Sequence, residues 1–380
     1  MHYRKFGKTG IDVSVLGFGC MRLPTEKPGE SKIDEKEAIR IIRKGIDSGI
    51  NYVDSAYSYH QGESEVVLGK ALKDGYREKV TLATKLPVWH KEFTEPEDFE
   101  KYLDEQLEKL DVECIDVFLL HALNEERWNE KVLKLNLFEH AKKAKEEGKI
   151  KHLGFSFHDK PEVLKKIIDS GEFEMMLVQY NILDTANEEM IHYAAEKGLG
   201  VAIMGPVGGG RLAGNPPEDM QEFLTEDREN FVDLALKFVW SNPNVSVALS
   251  GMGSEEMVDE NIVLASSDQY TLTKEELQKV KTIGEKFNEK TEVICTNCKY
   301  CVPCPNEVNI PYIFRALIYY QVYGQEDYAK WMYGRLGQEK GPKGKPADGC
   351  IECGECEPKC PQEIPIIKQL KEAHEILSQE

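Results

Sequence analysis

Long apolar runs are missing from this 380-residue chain: its opening residues, MHYRKFGKTG, are charged, and no later segment offers the roughly 20 uninterrupted apolar residues a membrane helix requires. A soluble, cytoplasmic protein is therefore expected. Positive charge is also short, with 48 Lys and Arg against 67 Asp and Glu and a formal net charge of -19. That balance repels phosphate backbones and anionic lipid alike, so neither nucleic acid nor a membrane is expected as a partner. Cysteine is scarce over most of the length. Of ten cysteines, Cys20 and Cys114 alone lie outside two short segments, and they read as buried apolar residues. The other eight have no export signal and crowd too closely for an ordinary disulfide framework, so they read as metal ligands.

Short apolar runs recur over the first 290 residues: VSVLGFG, NYVDSA, VTLATK, IDVFLLH, IKHLGFSF, MMLVQYN, GVAIMGP and VSVALSGM. Helical periodicity fills the intervals. DEKEAIRIIRKGIDSG sets Ala38, Ile41, Ile42 and Ile46 on one face and stops at Gly49. PEDFEKYLDEQLEKL repeats the pattern with Phe99, Leu103, Leu107 and Leu110. Eight strands alternating with helices predict parallel crossovers, and the strand spacing suits an α/β (β/α)8 TIM barrel better than an open doubly wound sheet. After TKEELQKVKTIGEKFNEK the composition changes, which sets the expected boundary between a barrel over 1–290 and a small, mainly helical domain over 291–380.

Barrel chemistry sits where the strands end. The second run leads into Asp54 and Tyr59, the third ends in Lys85 and the fourth in His121. Singly these read as a helix cap, an amphipathic wall residue, a solvated strand end and a core histidine. Jointly they bring an acid, a phenol, an ammonium and an imidazole to one mouth, which is a catalytic constellation.

In these residues the chain resembles the aldo/keto reductase family: an Asp and a Tyr separated by four residues after the second strand, then a Lys and a His ending the next two, with GESEVVLGKAL following the Tyr. The resemblance implies reduction of an aldehyde or ketone to an alcohol with NADH or NADPH. Tyr59 would then be the proton donor, Lys85 its activating cation, Asp54 the holder of Lys85, and His121 a hydrogen-bond donor to the substrate oxygen. It also implies cofactor contacts at Asp54, at Ser156 and Gln179 for the nicotinamide carboxamide, and at Gly205, Pro206, Val207, Gly210 and Arg211 along the pyrophosphate. Ser254, Glu260 and Asn261 would hold the adenosine end. Met204 stands where many relatives carry a ring-stacking Tyr. Gly251 and Met257 stand where NADPH-demanding relatives carry a Lys and an Arg. With Glu255 and Glu256 close by, NADH is expected to serve at least as well as NADPH. Trp89, His90 and Trp128 are candidate substrate walls by position, with packing the more ordinary role for each.

The two cysteine segments are C-x2-C-x2-C-x2-C-P, from Cys295 through Cys298 and Cys301 to Cys304, and C-x2-C-x2-C-x3-C-P, from Cys350 through Cys353 and Cys356 to Cys360. The second is the bacterial ferredoxin run, in which three thiolates hold one 4Fe-4S cubane and the fourth ligates its neighbour. Zinc ribbons use paired cysteines instead. Two 4Fe-4S clusters are expected, a single cluster with spare thiols being the alternative. One would be held by Cys295, Cys298, Cys301 and Cys360, the other by Cys350, Cys353, Cys356 and Cys304. Nicotinamide delivers two electrons and a cubane one, and no flavin signature is present to adapt them. Three readings remain: an independent carbonyl reductase with a structural or regulatory appendage, an electron-transfer protein working with a ferredoxin or flavoprotein, and a non-catalytic nicotinamide or redox-sensing module.

Overall fold

The eight apolar runs supply the staves of one barrel. The structure, a computed structural model, describes residues 1–26, 32–213, 231–291, 293, 295, 297, 299–338, 341–360 and 362–379. An antiparallel hairpin, β1 (Tyr3–Lys5) and β2 (Asp12–Ser14), precedes the barrel. The parallel staves come next: β3 (Leu16–Gly19), β4 (Tyr52–Asp54), β5 (Thr81–Leu86), β6 (Ile115–Leu123), β7 (Ile150–Phe157), β8 (Met175–Gln179), β9 (Gly200–Met204) and β10 (Val247–Ser250), with β10 closing on β3. The run VSVLGFG, expected as one strand, divides between β2 and β3. Its first half pairs backwards onto the N-terminal strand, with Val13 opposite Arg4, before the chain turns into the barrel wall.

The hairpin seals the floor. Phe6 and Val13 are fully buried in one cluster with Tyr52, Ala83, Val117, Leu119, Met175, Ala202 and Val247 from inside the barrel. Gly200 is required there: a Cβ on it would meet the Phe6 ring at 2.5 Å. With the floor filled, the functional opening is at the C-terminal ends of the strands.

Helices cover the wall as the periodicity predicts. Asp34 caps Glu35–Asp47 by accepting from the Glu37 N–H, the helix buries Ala38, Ile41, Ile42 and Ile46, and Gly49 follows at φ 103°. Asp98–Leu110 buries Phe99, Leu103, Leu107 and Leu110, and in addition Tyr102 and Gln106.

The chain divides into two compact units. The first comprises Met1–Tyr180, Asp184–Pro206 and Leu236–Leu272. The second comprises the described residues within Asn181–Leu183, Val207–Ala235 and Thr273–Glu380. Helix Lys274–Lys290 belongs by packing to the second: it starts on a Thr273–Glu276 capping box, its Gly284 lies against the Ile182 carbonyl, and Phe287 meets Tyr323 edge-on at 6.2 Å. Helices Ile310–Gln321, Glu326–Gly334 and Ile366–Leu377 complete that unit. Among the described residues no helix is long and apolar enough to cross a membrane.

Candidate active site

Three neighbouring strands set the centre of the mouth. Asp54 ends β4, Lys85 lies on β5 and His121 on β6, so adjacency in the sheet makes them neighbours in space. Lys85 is 1% exposed and its ammonium is fully occupied: Nζ donates to Asp54 Oδ1 at 2.5 Å, to the Ser55 carbonyl at 2.6 Å and to Tyr59 Oη at 3.3 Å. Tyr59 opens a turn in which His60, Gln61 and Gly62 all have positive φ (50°, 58° and 94°) before helix Glu63–Ala71 begins. His121 lies edge-on to the Tyr59 ring, centroids 6.2 Å apart, and Trp89 approaches it at 6.1 Å. Asp54, Tyr59, Lys85 and His121 are thus gathered in one place.

The electrostatics come from burial. Burial pushes the Asp54 carboxyl up while the Lys85 ammonium pulls it back. His121 is held well below the ordinary imidazole value, first by burial and then by Lys85, His158 and Arg127, so it is a neutral ring at physiological pH. Its neighbour His158 is pushed down to about 4 by burial and by Arg127. At His121 the ladder of β6 slips: the register shifts between Leu120 and Leu123, and Ala122 adopts φ 56°. Two bonds fix the bulge, the Ala122 N–H donating to Ser156 Oγ at 2.7 Å and Arg127 donating to the Ala122 carbonyl at 2.6 Å.

The expected cofactor residues continue around the same rim. Ser156 is on β7, Gln179 ends β8 and Met204 ends β9, opposite Gln179 in register. Gln179 donates to Asp184 Oδ2 at 2.8 Å. Gly205 has φ 63°, and a Cβ there would find only Gln179 Oε1, at 3.8 Å, leaving an open face beside that carboxamide. Asp54 Oδ2 is buried without a partner among the described residues, an acceptor available to a hydroxyl. Ser254 caps helix Glu255–Ser266, a helix N-terminus of the type that receives anions. These features fit a nicotinamide dinucleotide. Asn261, by contrast, is buried and directs its amide onto Ser250 Oγ at 3.0 Å, while Glu260 is exposed. Pro206 closes a segment of the first unit, whereas Val207, Gly210 and Arg211 belong to the second, where Arg211 Nε bonds the Gly208 carbonyl at 3.0 Å.

Several contributors escape a reading along the chain. Glu255 is not an isolated repulsive charge: Arg40 pairs with it and Lys44 stands 4.0 Å away, both from helix Glu35–Asp47. Arg40 also pairs with Glu37, and Lys44 with Asp259 at 2.6 Å, so these two cations are shared among three carboxylates and the acidic character expected at this rim is kept. Arg22 lies along Gly251, whose absent Cβ leaves room for the Arg22 stem at 3.1 Å. Hence a cation from the first βα loop reaches the last loop, where no local Lys or Arg exists. Trp128 is 3% exposed and packs against Phe138 and Phe173, so it belongs to the helical layer and not to a substrate wall. His90 accepts or donates at Nδ1 to Tyr102 Oη, 2.8 Å away.

In the second unit the two cysteine segments meet. Cys301, Cys304, Cys350, Cys353 and Cys356 line one cavity whose apolar wall includes Ile310 and Leu370. Such a set of soft thiolates suits an iron–sulfur cluster, and it places Cys304 of the first segment beside the triplet of the second. Cys295 accepts from the Asn297 N–H at 3.4 Å, Cys360 is half-buried, and Cys298 lies outside the described residues.

The structure is a closed parallel barrel with Asp54, Tyr59, Lys85 and His121 gathered around its C-terminal mouth, the arrangement of an oxidoreductase. The aldo/keto reductase family matches residues 15–285, and this chain belongs to that family. A 4Fe-4S dicluster domain matches residues 294–365. Among solved structures, the holo form of aldo-keto reductase AKR11C1 from Bacillus halodurans is 30% identical, with a TM-score of 0.64, covering 74% of this chain and 96% of that one. The uncharacterized oxidoreductase YqkF of Bacillus subtilis is 27% identical over 74% of this chain and 96% of its own length. The L-galactose dehydrogenase of Arabidopsis thaliana is 26% identical over 76% of this chain and 96% of its own. A nicotinamide cofactor and 4Fe-4S chemistry are what these two families bring together in one chain.

Proposed function

We propose that this protein reduces an aldehyde or ketone to an alcohol, residues 1–290 acting as the reductase and 291–380 as its iron–sulfur part. The observation that carries the reading is the buried Lys85 ammonium, shared between Asp54 Oδ1 and Tyr59 Oη. When bound, NADH or NADPH supplies a hydride to the carbonyl carbon. Tyr59 Oη delivers the proton that the carbonyl oxygen then needs. A free phenol, with a pKa of about 10, is a slow acid near neutrality, and an ammonium at hydrogen-bond distance favours the phenolate it leaves behind. Asp54 and the Ser55 carbonyl hold that ammonium in place. His121, neutral, donates a ring N–H to the substrate oxygen as negative charge develops on it. Trp89, packed beside His121, walls the site from water. Ser156, Gln179, Met204 and Gly205 would hold the nicotinamide end; Ser254 and the helix it caps would take the anionic end.

The test is Tyr59→Phe in the full-length protein, purified anaerobically and shown folded by circular dichroism. Loss of a general acid costs about 10²- to 10⁴-fold, so reduction of a test aldehyde should fall by at least about a hundredfold. A parental rate removes Tyr59 as donor.

For the iron–sulfur part the reading is two 4Fe-4S clusters, which would supply one-electron redox capacity when assembled; the cavity that brings Cys304 beside Cys350, Cys353 and Cys356 supports one of them. Cys304 would join Cys350, Cys353 and Cys356; Cys295, Cys298, Cys301 and Cys360 would hold the other cluster. Two four-iron cubanes require about eight irons per chain by iron and sulfide analysis; about four refutes the second cluster. Exchange of electrons with a ferredoxin or flavoprotein is a second reading, favoured by the exposure of Cys353 beside Ile351, which is 62% exposed. Its test is whether a reduced ferredoxin or flavodoxin passes electrons to the oxidised clusters, one per cluster, in anaerobic stopped-flow spectroscopy; clusters that stay oxidised refute it.

A further inference from the structure

Behind Lys85, on the outer face of β5, the layer between sheet and helices is polar where apolar packing is the rule. Side chains alternate along a strand, so Lys85 faces the mouth and its neighbour Thr84 faces the helices. Thr84 Oγ1 donates to Glu65 Oε1 at 2.6 Å, and Gln106 Nε2 approaches the same oxygen at 2.5 Å. Gln106 Nε2 also lies 3.1 Å from the Lys85 carbonyl. All three side chains are fully buried, and Glu65 Oε2 and Gln106 Oε1 have no partner among the described residues.

Stability does not account for this cluster. Buried polar atoms without partners are unfavourable, and well-packed apolar side chains in such a place serve stability as well or better. Its connectivity is more informative. Glu65 sits in the first turn of helix Glu63–Ala71, reached from Tyr59 through the left-handed turn His60–Gly62, while its bonds reach the strand that carries Lys85. One carboxyl therefore ties the segment following the phenol to the strand bearing the ammonium, with Gln106 of helix Asp98–Leu110 completing the tie at the Lys85 backbone.

We propose that Glu65 is a positioning residue: through Thr84 and Gln106 it sets the separation of Lys85 Nζ from Tyr59 Oη. The proposal rests on the proton-donor reading of Tyr59 given above. It predicts that loosening the cluster weakens the grip of the ammonium on the phenol while leaving cofactor binding alone.

The experiment compares parent, Glu65→Ala, Glu65→Gln, Gln106→Leu and Tyr59→Phe, all full-length with clusters verified spectroscopically, by kcat against pH and by fluorescence titration with NADH. Glu65→Ala should lower kcat by about tenfold or more, since a misplacement of about 1 Å can cost a hundredfold. The alkaline limb should move up by about one pH unit as the phenol returns toward its ordinary value of about 10. The NADH Kd should stay near parental. Glu65→Gln keeps an acceptor oxygen for Thr84 and Gln106, and should recover most of kcat and the parental limb. Should Glu65→Ala fail to fold, Gln106→Leu carries the test, because it removes the donor to the Lys85 carbonyl. A folded Glu65→Ala or Gln106→Leu protein whose alkaline limb coincides with the parent's overturns the proposal, whatever its kcat. If Tyr59→Phe itself keeps the parental rate, the proton-donor reading fails instead.

Discussion

Replacing Lys85 by Met removes one charge from the centre of the site while nearly keeping its volume, and the contacts around that charge determine the cost. Lys85 is 1% exposed and bonded to Asp54, Ser55 and Tyr59, so the change strands a carboxylate that burial already disfavours. Removing one partner of a buried ion pair costs about 3–5 kcal/mol, which for a barrel of this size lowers Tm by roughly 10 °C. The loss depends on pH with a definite sign. A carboxyl whose folded pKa is raised binds its proton more tightly folded than unfolded, so the variant keeps stability below the unfolded value of about 3.9 and loses it as pH climbs through the folded value. The gap from the parent should therefore widen from acid toward neutral pH and then level off. Catalysis should suffer separately: with no ammonium beside it, Tyr59 is an ordinary phenol, and the rate at pH 7 should drop by about 10² or more. Thermal melts from pH 5 to 8, with aldehyde reduction measured on the same preparations, read both effects. A variant that melts like the parent and turns over within about threefold of it refutes the argument.

Further measurements probe other parts of the site. Because Arg40 and Lys44 divide their charge among Glu37, Glu255 and Asp259 while Arg22 lies along Gly251, NADPH should not be preferred over NADH in kcat/KM by more than about tenfold, or about 1.4 kcal/mol; a preference of a hundredfold or more for NADPH contradicts this and directs attention to Arg22 and Arg211. His121 is neutral throughout the physiological range, so its protonation adds no acid limb near 6.5 to the profile of kcat/KM. A limb there that vanishes in His121→Gln would show the ring to be charged in the working enzyme. Gly200→Ala drives a methyl into the Phe6 ring and should cost about 1–3 kcal/mol of stability by denaturant titration, with KM unchanged; an unchanged midpoint would mean that the floor can yield.

The strands and the four central residues were legible because each depends on local pattern: a short apolar run, then a polar residue where the run ends. Asp54, Lys85 and His121 come together simply because consecutive strands of a parallel barrel are neighbours. The features that stayed hidden depend on contacts between distant segments. Glu65 is one of two glutamates in GESEVVLGKAL, and only the packing of two helices against β5 shows which of them is fully buried. Arg22 and Gly251 are more than two hundred residues apart in sequence, and the closure of β10 on β3 makes them neighbours. VSVLGFG looks like one strand since apolar content does not record which partner each half will take. Trp128 takes the ordinary packing role that its position also allowed, in the helical layer against Phe138 and Phe173.

The terminal hairpin determines how the molecule can be handled. Tyr3 to Lys8 lie against the strand starts, at the pole opposite Lys85, with Phe6 lodged over Gly200 and Lys8 resting on Gly198. A surface linker or fusion partner joined ahead of Met1 would thus grip the barrel by its blind side, leaving its reactive opening turned away from the support.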